Sequence, residues 1–117
     1  MALILVVDDE FGILELLEAA FTDDGHRVLT ATNGAVALDR MRAERPGVIM
    51  TDFLMPVMGG AELLEAISSD ADLRTIPTII MSSLPEAAIA ARCCGYAAFV
   101  RKPFRIAAML DLVASFV

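Results

Sequence analysis

Short, unbroken apolar runs alternate along this chain with segments in which apolar residues recur every three or four positions. An unbroken run is typical of a strand that is covered on both faces, and the three-and-four spacing is typical of a helix with one apolar side. The runs predict strands at 3–7, 48–52, 78–82 and 96–100, and residues 26–31 are expected to form a short second strand. The periodic segments predict helices from Phe11 up to Gly25, at 34–44, 60–69 and 85–93, and after Pro103.

Four of the five predicted helices carry an apolar stripe that we expect to pack on the sheet, and the fourth is alanine-rich. In the first helix the stripe consists of Ile13, Leu16, Leu17, Ala20 and Phe21. In the second and third helices it consists of Ala37, Leu38, Met41, Leu63, Leu64 and Ile67. In the last helix it consists of Ile106, Met109, Leu110 and Val113.

The strict alternation of five strands with five helices predicts an α/β fold. Right-handed strand-helix-strand connections give a single doubly wound, five-stranded parallel sheet with helices on both faces. Residues 1–117 are expected to form one domain, which is large enough to bury roughly two-thirds of its unfolded surface. The sequence contains no repeat and no linker that would divide it.

The composition narrows the function classes. Although 57% of the residues are apolar, no run reaches the ~18 residues needed to cross a bilayer, so we expect no membrane span. The first apolar run lacks a basic leader, which argues against a secretory signal and favours a cytoplasmic location. Sixteen acidic and nine basic residues give a net charge of −7, which disfavours direct binding to nucleic acid.

The two cysteines, Cys93 and Cys94, are adjacent in the sequence. Neighbouring cysteines rarely form a disulfide with each other, because the peptide geometry between them is strained. Both cysteines fall at the end of the predicted alanine-rich helix. We therefore expect both cysteines to serve simply as small apolar residues on a buried helix.

Polar residues stand at the carboxyl ends of four predicted strands. Asp8 and Asp9 follow the first strand, Asp52 ends the third, Ser82 ends the fourth and Lys102 follows the fifth. Because these ends share one edge of a parallel sheet, where open α/β sheets bind ligands, we expect the five side chains to meet there. Carboxylates ~5 Å apart repel by roughly 3 kcal/mol per pair at an effective dielectric of about 20, so the edge should attract a cation. Oxygen ligands without histidine or thiolate suit Mg²⁺ or Mn²⁺.

The same residues supply the parts of a phosphoryl-transfer site. Lys102, the only lysine of the chain, would place a compact positive charge beside phosphoryl oxygens, and Ser82 would add a hydroxyl donor. Asp52 would be the nucleophile and would form an acyl phosphate. Taken singly, each residue has a plainer interpretation as a helix cap, a loop carboxylate, a strand-end hydroxyl or a solvated side chain. Their joint placement at four strand ends favours a site.

With these residues in hand, the chain resembles the response regulator receiver domain of two-component signalling over essentially all of its 117 residues. The motifs that carry the resemblance are Leu5-Val6-Val7-Asp8-Asp9-Glu10, Asn33-Gly34, Asp52-Phe53-Leu54-Met55-Pro56 with Met58 and Gly60, Ser82, and Lys102-Pro103-Phe104. The resemblance implies a flavodoxin-like (βα)5 fold with the strand order 2-1-3-4-5. It also implies a phosphoacceptor signalling domain that is not an enzyme beyond its own phosphorylation and dephosphorylation.

The resemblance further implies a role for each residue of the edge. Asp52 would accept the phosphoryl group from a sensor histidine kinase, a phosphotransfer protein or a small phosphodonor. Asp9 would bind Mg²⁺ directly and Asp8 through a water molecule, while Asp52 and the backbone carbonyl of Leu54 would complete the protein ligands. Lys102 would pair with the phosphoryl group.

Ser82 and Phe99 would form the switch pair. The hydroxyl would move to bond a phosphoryl oxygen and the ring would rotate inward, which changes the surface of the fourth helix, fifth strand and fifth helix. That surface would bind a downstream protein partner or a fused effector, and it could join two copies as a homodimer. The resemblance also implies a cis peptide bond between Lys102 and Pro103.

Two positions bear on the lifetime of the acyl phosphate. Leu54 and Leu84 lie two residues after Asp52 and Ser82, where this family tunes the attack of water on the phosphoryl group. Both side chains are apolar and neither can orient a water molecule. We therefore expect slow autodephosphorylation.

Three other function classes stay open at this point. A haloacid-dehalogenase-like phosphatase also uses an aspartate nucleophile and Mg²⁺, but it needs a second acid where this chain has Leu54. A flavodoxin-type nucleotide binder provides hydroxyls where this chain has Asp8-Asp9-Glu10, which would repel phosphate. A degenerate receiver would serve only as a protein-interaction module, and the presence of all five polar site residues argues against it.

Overall fold

The computed structural model describes residues 2–117, which form five strands alternating with five helices. In chain order these are β1 (Leu3–Val7), α1 (Phe11–Asp23), β2 (Arg27–Ala31), α2 (Gly34–Ala43), β3 (Val48–Asp52), α3 (Gly60–Ser68), β4 (Thr78–Ser82), α4 (Glu86–Ala90), β5 (Ala98–Arg101) and α5 (Ile106–Ala114). The strands form one parallel sheet in the order β2-β1-β3-β4-β5. The predicted flavodoxin-like fold and its strand order are confirmed.

Successive side chains of each strand point to opposite faces of the sheet, so the unbroken apolar runs feed two cores at once. On one face α1 and α5 cover a first core cluster, which consists of Ile4, Val6, Leu14, Leu17, Phe21, Val48, Met50, Ile79, Met81, Met109 and Val113. On the other face α2 and α3 cover a second core cluster, which consists of Leu5, Val7, Ala31, Ala37, Leu38, Met41, Ile49, Leu63, Ile67, Leu73 and Ile76.

A third, smaller core cluster lies beneath α4. Its buried members are Phe53, Ile80 and Ile89, and only the last of these belongs to the helix. Tyr96 and Phe99 are partly buried against it. Few apolar contacts therefore hold α4 on the sheet.

The predicted bounds of α4 and β5 were wrong. The helix expected at 85–93 comprises only Glu86–Ala90, because Ile89 is its one buried residue and alanines offer little apolar surface to the sheet. The strand expected at 96–100 is Ala98–Arg101. Tyr96 does not join the ladder; its hydroxyl donates a hydrogen bond to Glu86 Oε2 at 3.2 Å.

The cysteines also differ from the prediction of two apolar residues on a buried helix. The helix ends at Ala90, so Cys93 and Cys94 lie in the irregular segment between α4 and β5. Cys93 is partly buried, Cys94 is exposed, and both thiols are free.

In α1 the apolar stripe serves two purposes. Leu14, Leu17 and Phe21 form its buried face. Leu16, which the spacing assigned to the core, is 50% exposed and turns toward the carboxyl edge of the sheet.

No helix within residues 2–117 is both long enough and apolar enough to cross a membrane.

Candidate functional site

The parallel strands bring the polar side chains of four strand ends to one edge of the sheet. Asp8 follows β1, Asp52 ends β3, Ser82 ends β4 and Lys102 follows β5. Ser82 lies opposite Arg101 in the register of β4 and β5, so Lys102 continues β5 just past the end of its neighbour. The strand ends are therefore level enough for the side chains to meet.

A buried ion-pair network connects the ends of β1, β3 and β5. Lys102 Nζ lies 2.8 Å from Asp8 Oδ2 and 3.2 Å from Asp52 Oδ1. Asp8 is fully buried, and the side chain of Lys102 is only 13% exposed. One ammonium thus neutralises part of the charge of two carboxylates that would otherwise repel each other.

The network sets the protonation behaviour of its members. Burial, and next the charge of Asp8, raise the pKa of Asp52 to about 6, although Lys102 acts in the opposite direction. Burial disfavours the charge on Lys102, but the hydrogen bonds and charges of Asp8 and Asp52 outweigh it, so the pKa of Lys102 lies above its ordinary value. At neutral pH Asp52 is therefore mainly a carboxylate beside a charged ammonium, which is a form able to act as a nucleophile.

Three carboxylates of the edge form a possible metal site. Asp8 Oδ1 accepts a hydrogen bond from the backbone N–H of Glu10 at 2.9 Å, which fixes its orientation at the start of α1. Asp9 is exposed, and carboxylate oxygens of Asp8, Asp9 and Asp52 all lie within 4.8 Å of one another. A set of hard oxygen donors without nitrogen or sulfur fits Mg²⁺ or Mn²⁺.

The two residues of the expected switch pair occupy different surroundings. Ser82 is buried, and its Oγ accepts a hydrogen bond from the backbone N–H of Leu84 at 3.0 Å. Phe99 lies opposite Ile80 on β5 and is partly buried against the third core cluster. Ser82 lines the cleft above the sheet edge, whereas Phe99 is not among the residues that line it.

Backbone contacts hold the loop that follows Asp52. The N–H of Gly60 donates to the carbonyl oxygen of Phe53 at 2.8 Å. A Cβ atom on Gly60 would lie 2.7 Å from the backbone oxygen of Asp52, so this close approach requires glycine. The N–H of Gly59 donates to Glu62 Oε2 at 2.8 Å, which satisfies a donor at the start of α3.

A cleft of about 640 Å³ opens above the site. Its polar wall consists of Asp9, Glu10, Asp52, Ser82, Ser83 and Lys102, and its apolar wall of Ile13, Leu16, Leu54, Pro103 and Phe104. The Lys102–Pro103 peptide bond in this wall is cis, as the resemblance implies.

Sequence reasoning missed the part of the apolar wall that α1 contributes. Ile13 and Leu16 share the helical spacing of core residues, and spacing alone does not separate a core face from a cleft face. The available signal was an excess of apolar positions in α1, which with Phe11 and Leu14 are more numerous than one helix face needs.

The sequence of the chain is similar to known signalling proteins. The family model of the response regulator receiver domain matches residues 4–114. The probable transcriptional regulator ycf27 of Porphyra purpurea is 37% identical over 83 residues, which are 71% of this chain and 33% of that protein. Protein PilH of Pseudomonas aeruginosa is 36% identical over 83 residues, which are 71% of this chain and 69% of PilH. The chain thus spans about a third of the ycf27 regulator, so the output of any longer protein is a separate question.

Solved structures share the fold over the whole chain. The chemotaxis response regulator CheY4 of Vibrio cholerae superposes with a TM-score of 0.91 at 28% identity and covers 100% of this chain and 99% of its own. The receiver domain of sensor histidine kinase PA1611 from Pseudomonas aeruginosa, solved with a magnesium ion coordinated in the active site cleft, has a TM-score of 0.91 at 23% identity and covers 98% of this chain and 96% of its own. With a family match from residue 4 to residue 114 and a sheet edge that gathers the polar motif residues, the chain belongs to the response regulator receiver domain family of two-component signalling.

Proposed function

We propose that residues 1–117 are an active phosphoacceptor receiver in which Asp52 takes a phosphoryl group from the phosphohistidine of a sensor histidine kinase or phosphotransfer protein. The observation that carries this proposal is the position of Asp52, which faces an open cleft while Lys102 Nζ lies 3.2 Å from its carboxylate. A carboxylate kept ionised by a neighbouring cation and open on one side can attack an incoming phosphorus atom. The receiver would act as a signalling domain and catalyse only reactions of its own phosphoryl group.

The transfer requires one bond to form and one to break. An oxygen of Asp52 attacks the phosphorus, a P–O bond forms, and the P–N bond to the histidine breaks. The electron pair of the P–N bond returns to the imidazole ring, which leaves neutral when its other nitrogen is protonated. Lys102 would then exchange part of its contact with Asp52 for the new phosphoryl oxygens, since one ammonium can donate three hydrogen bonds.

The residues of the cleft also fit a divalent ion. Asp8, Asp9 and Asp52, with the backbone carbonyl of Leu54, would hold Mg²⁺ or Mn²⁺, Asp9 directly and Asp8 through water. When bound, such an ion offsets the negative charge of the phosphoryl oxygens. The clustered oxygen donors support this assignment, as does the magnesium ion in the cleft of the PA1611 receiver, which has the same fold. Glu10 supports it through its backbone N–H, which keeps Asp8 turned toward the cluster.

Ser82 and Phe99 would convert phosphorylation into a surface change. In this proposal the Ser82 side chain moves toward a phosphoryl oxygen and away from the backbone N–H of Leu84, from which its Oγ accepts a hydrogen bond. Phe99 is only partly buried and lies on the small third cluster, so it has a place to move to when the β4–α4 loop shifts. The α4, β5 and α5 surface would then bind a downstream protein, a fused effector or a second copy of the chain.

The test is the intact mass of the protein after incubation with acetyl phosphate and Mg²⁺. We expect a gain of one phosphoryl group in the wild type, no gain in Asp52→Ala, and no gain with a chelator in place of the ion. The conservative variant Asp9→Asn should weaken Mg²⁺ binding in a calorimetric titration, which gives a readout independent of phosphorylation. A folded wild type that gains no mass would contradict the proposal and leave a protein-interaction module as the function.

A further inference from the structure

The loop between β4 and α4, residues 83–85, is attached to the rest of the fold by very few polar contacts. The guanidinium Nε of Arg101, at the end of β5, donates a hydrogen bond to the carbonyl oxygen of Ser83 at 3.2 Å. Within residues 2–117, it is the one hydrogen bond that joins this loop to an element other than β4 and α4, which flank it. Because Ser83 also lines the cleft, the position of the loop bears on the site.

The contact made by Arg101 and the contact made by Ser82 involve the same peptide group. A peptide group is planar, so the carbonyl of Ser83 and the N–H of Leu84 turn together. The N–H end of this group donates to Ser82 Oγ at 3.0 Å, and the carbonyl end accepts from Arg101. A charged donor on the carbonyl also polarises the amide, which makes its N–H a stronger donor. Arg101 thus favours the orientation in which this peptide group binds the Ser82 hydroxyl.

The backbone of Arg101 is fixed beside the strand end that carries Ser82. Arg101 lies opposite Ser82 in the register of β5 and β4, and the N–H of Lys102 donates to the carbonyl oxygen of Ser82 at 2.8 Å. The side chain of Arg101 is exposed, and none of the ion pairs within residues 2–117 includes it. No carboxylate therefore draws the guanidinium away from the loop.

We propose that Arg101 is a positioning residue that opposes the switch, because it orients the peptide group that holds the Ser82 hydroxyl. This inference deepens the proposed function and rests on it. On phosphorylation the hydroxyl would leave this peptide group for a phosphoryl oxygen on Asp52. The bond from Arg101 is made only while the peptide group keeps its present orientation.

A hydrogen bond that is made in one of two conformations shifts the equilibrium between them toward the conformation that has it. Loss of the Arg101 bond should therefore favour the conformation in which Ser82 contacts the phosphoryl group. One hydrogen bond is worth about a twofold to tenfold change in such an equilibrium. Arg101 would thus set how readily the loop responds to phosphorylation without touching the phosphoryl group itself.

The first test measures amide hydrogen exchange of the Leu84 N–H in the unphosphorylated protein. Arg101→Met keeps an unbranched stem and removes every donor, so this amide should exchange about twofold to tenfold faster. The matched control is Arg105→Met, because Arg105 is also exposed and its side chain makes no hydrogen bond at the start of α5. The control should leave exchange at Leu84 unchanged. Amides of β1 should exchange at the wild-type rate in both variants, since the effect is local.

The second test measures the affinity for beryllium fluoride in the presence of Mg²⁺, because this fluoride occupies the place of a phosphoryl group on a carboxylate. Arg101→Met should bind it about twofold to tenfold more tightly than the wild type, and Arg105→Met should bind it equally well. In a Ser82→Ala background the effect of Arg101→Met should disappear, because Arg101 acts through that hydroxyl.

Equal exchange at Leu84 in the two arginine variants would overturn the proposal. An unchanged affinity for beryllium fluoride in Arg101→Met would do the same, as would a gain in affinity that persists without the Ser82 hydroxyl. A wild type that binds no beryllium fluoride would contradict the proposed function and with it the switch. The exchange rates would still decide, in that case, whether Arg101 orients the peptide group.

Discussion

The two sides of the sheet edge differ in how deeply they are packed. Around β1 and β3 the strands sit between two large core clusters, each with eleven buried residues. The third core cluster, around α4 and β5, has only three buried residues. No residue of β5 is fully buried. The carboxylates therefore project from strands packed between two large core clusters. The elements expected to respond to phosphorylation, α4 and β5, lie where few buried residues hold them.

This difference matches what the proposed function requires of each side. A phosphoacceptor site needs fixed distances, and Asp8 and Asp52 obtain them from strands buried on both faces. A switch needs an element whose displacement costs little, and regions with few buried apolar contacts open most readily. The α4 helix, with five residues and one buried side chain, meets that requirement.

The largest expected effect compares one substitution at two fully buried isoleucines. Ile49→Ala removes side-chain atoms from the second core cluster and should lower the free energy of unfolding by about 3–5 kcal/mol. Ile89→Ala in the third cluster should cost only about 2 kcal/mol, because the short α4 can shift into the space. Urea unfolding of both variants gives the comparison, and amide exchange should show opening of α4 in Ile89→Ala. Equal losses would contradict the difference in packing.

The next effect concerns the cation that connects the strand ends. Lys102→Met removes the ammonium that lies 2.8 Å from Asp8 and 3.2 Å from Asp52. We expect phosphorylation by acetyl phosphate to slow by about 100-fold or more, the usual effect of removing one preorganised donor. Lys102→Arg keeps the charge but replaces a compact donor with a planar fork, so an intermediate rate is expected. A folded Lys102→Met that reacts at nearly the wild-type rate would show that the ammonium is not part of the reaction.

A smaller effect follows from the pKa of Asp52, which is about 6 in the folded chain against about 3.9 in an unfolded one. Between these values the folded state binds more protons, so the contribution of Asp52 to stability is present at low pH and is lost as the pH rises through 6. Allowing for solvent screening, the loss is about 1–2 kcal/mol.

Asp52→Asn removes this titration and is the variant that measures it. In chelator, it should be more stable than the wild type by that amount at pH 7.5, and the gap should close near pH 4. The quantity to measure is the difference between the two urea unfolding free energies at each pH, because carboxylates that do not interact with Asp52 cancel in it. A gap that does not change with pH would contradict the raised pKa.

The difference in packing between the two sides also explains which strands and helices the sequence predicts correctly and which it does not. The unbroken apolar runs at 3–7 and 79–81 predict the strands beside the site, because side chains buried on both faces leave no polar position within the run. The bounds of α4 and β5 were missed because alanines around a single buried Ile89 fit several short helices equally well, and tertiary contacts decide among them. The exposure of Leu16 and Cys94 depends on how far each helix extends and which way it turns. Local spacing does not encode either property.

The smallest expected effect concerns the lifetime of the acyl phosphate. Leu54 lines the cleft beside Asp52 and is 57% exposed, and its side chain cannot hold a water molecule in line with the phosphorus. The wild type should therefore lose its phosphoryl group with a half-life longer than about a minute, which corresponds to a barrier of roughly 20 kcal/mol.

Leu54→Asn places an amide at this position that can orient water, so hydrolysis should accelerate by about threefold to tenfold, or up to roughly 1.4 kcal/mol. Leu54→Met is the matched control, since it keeps an apolar side chain of similar volume and should leave the rate unchanged. The decay is followed by intact mass after removal of acetyl phosphate. If both variants accelerate hydrolysis equally, the wall of the cleft limits water by its shape rather than by lacking a polar group. The α4 and β5 side would then contribute to the lifetime of the acyl phosphate as well, because Ser83 on the β4–α4 loop lines the same cleft.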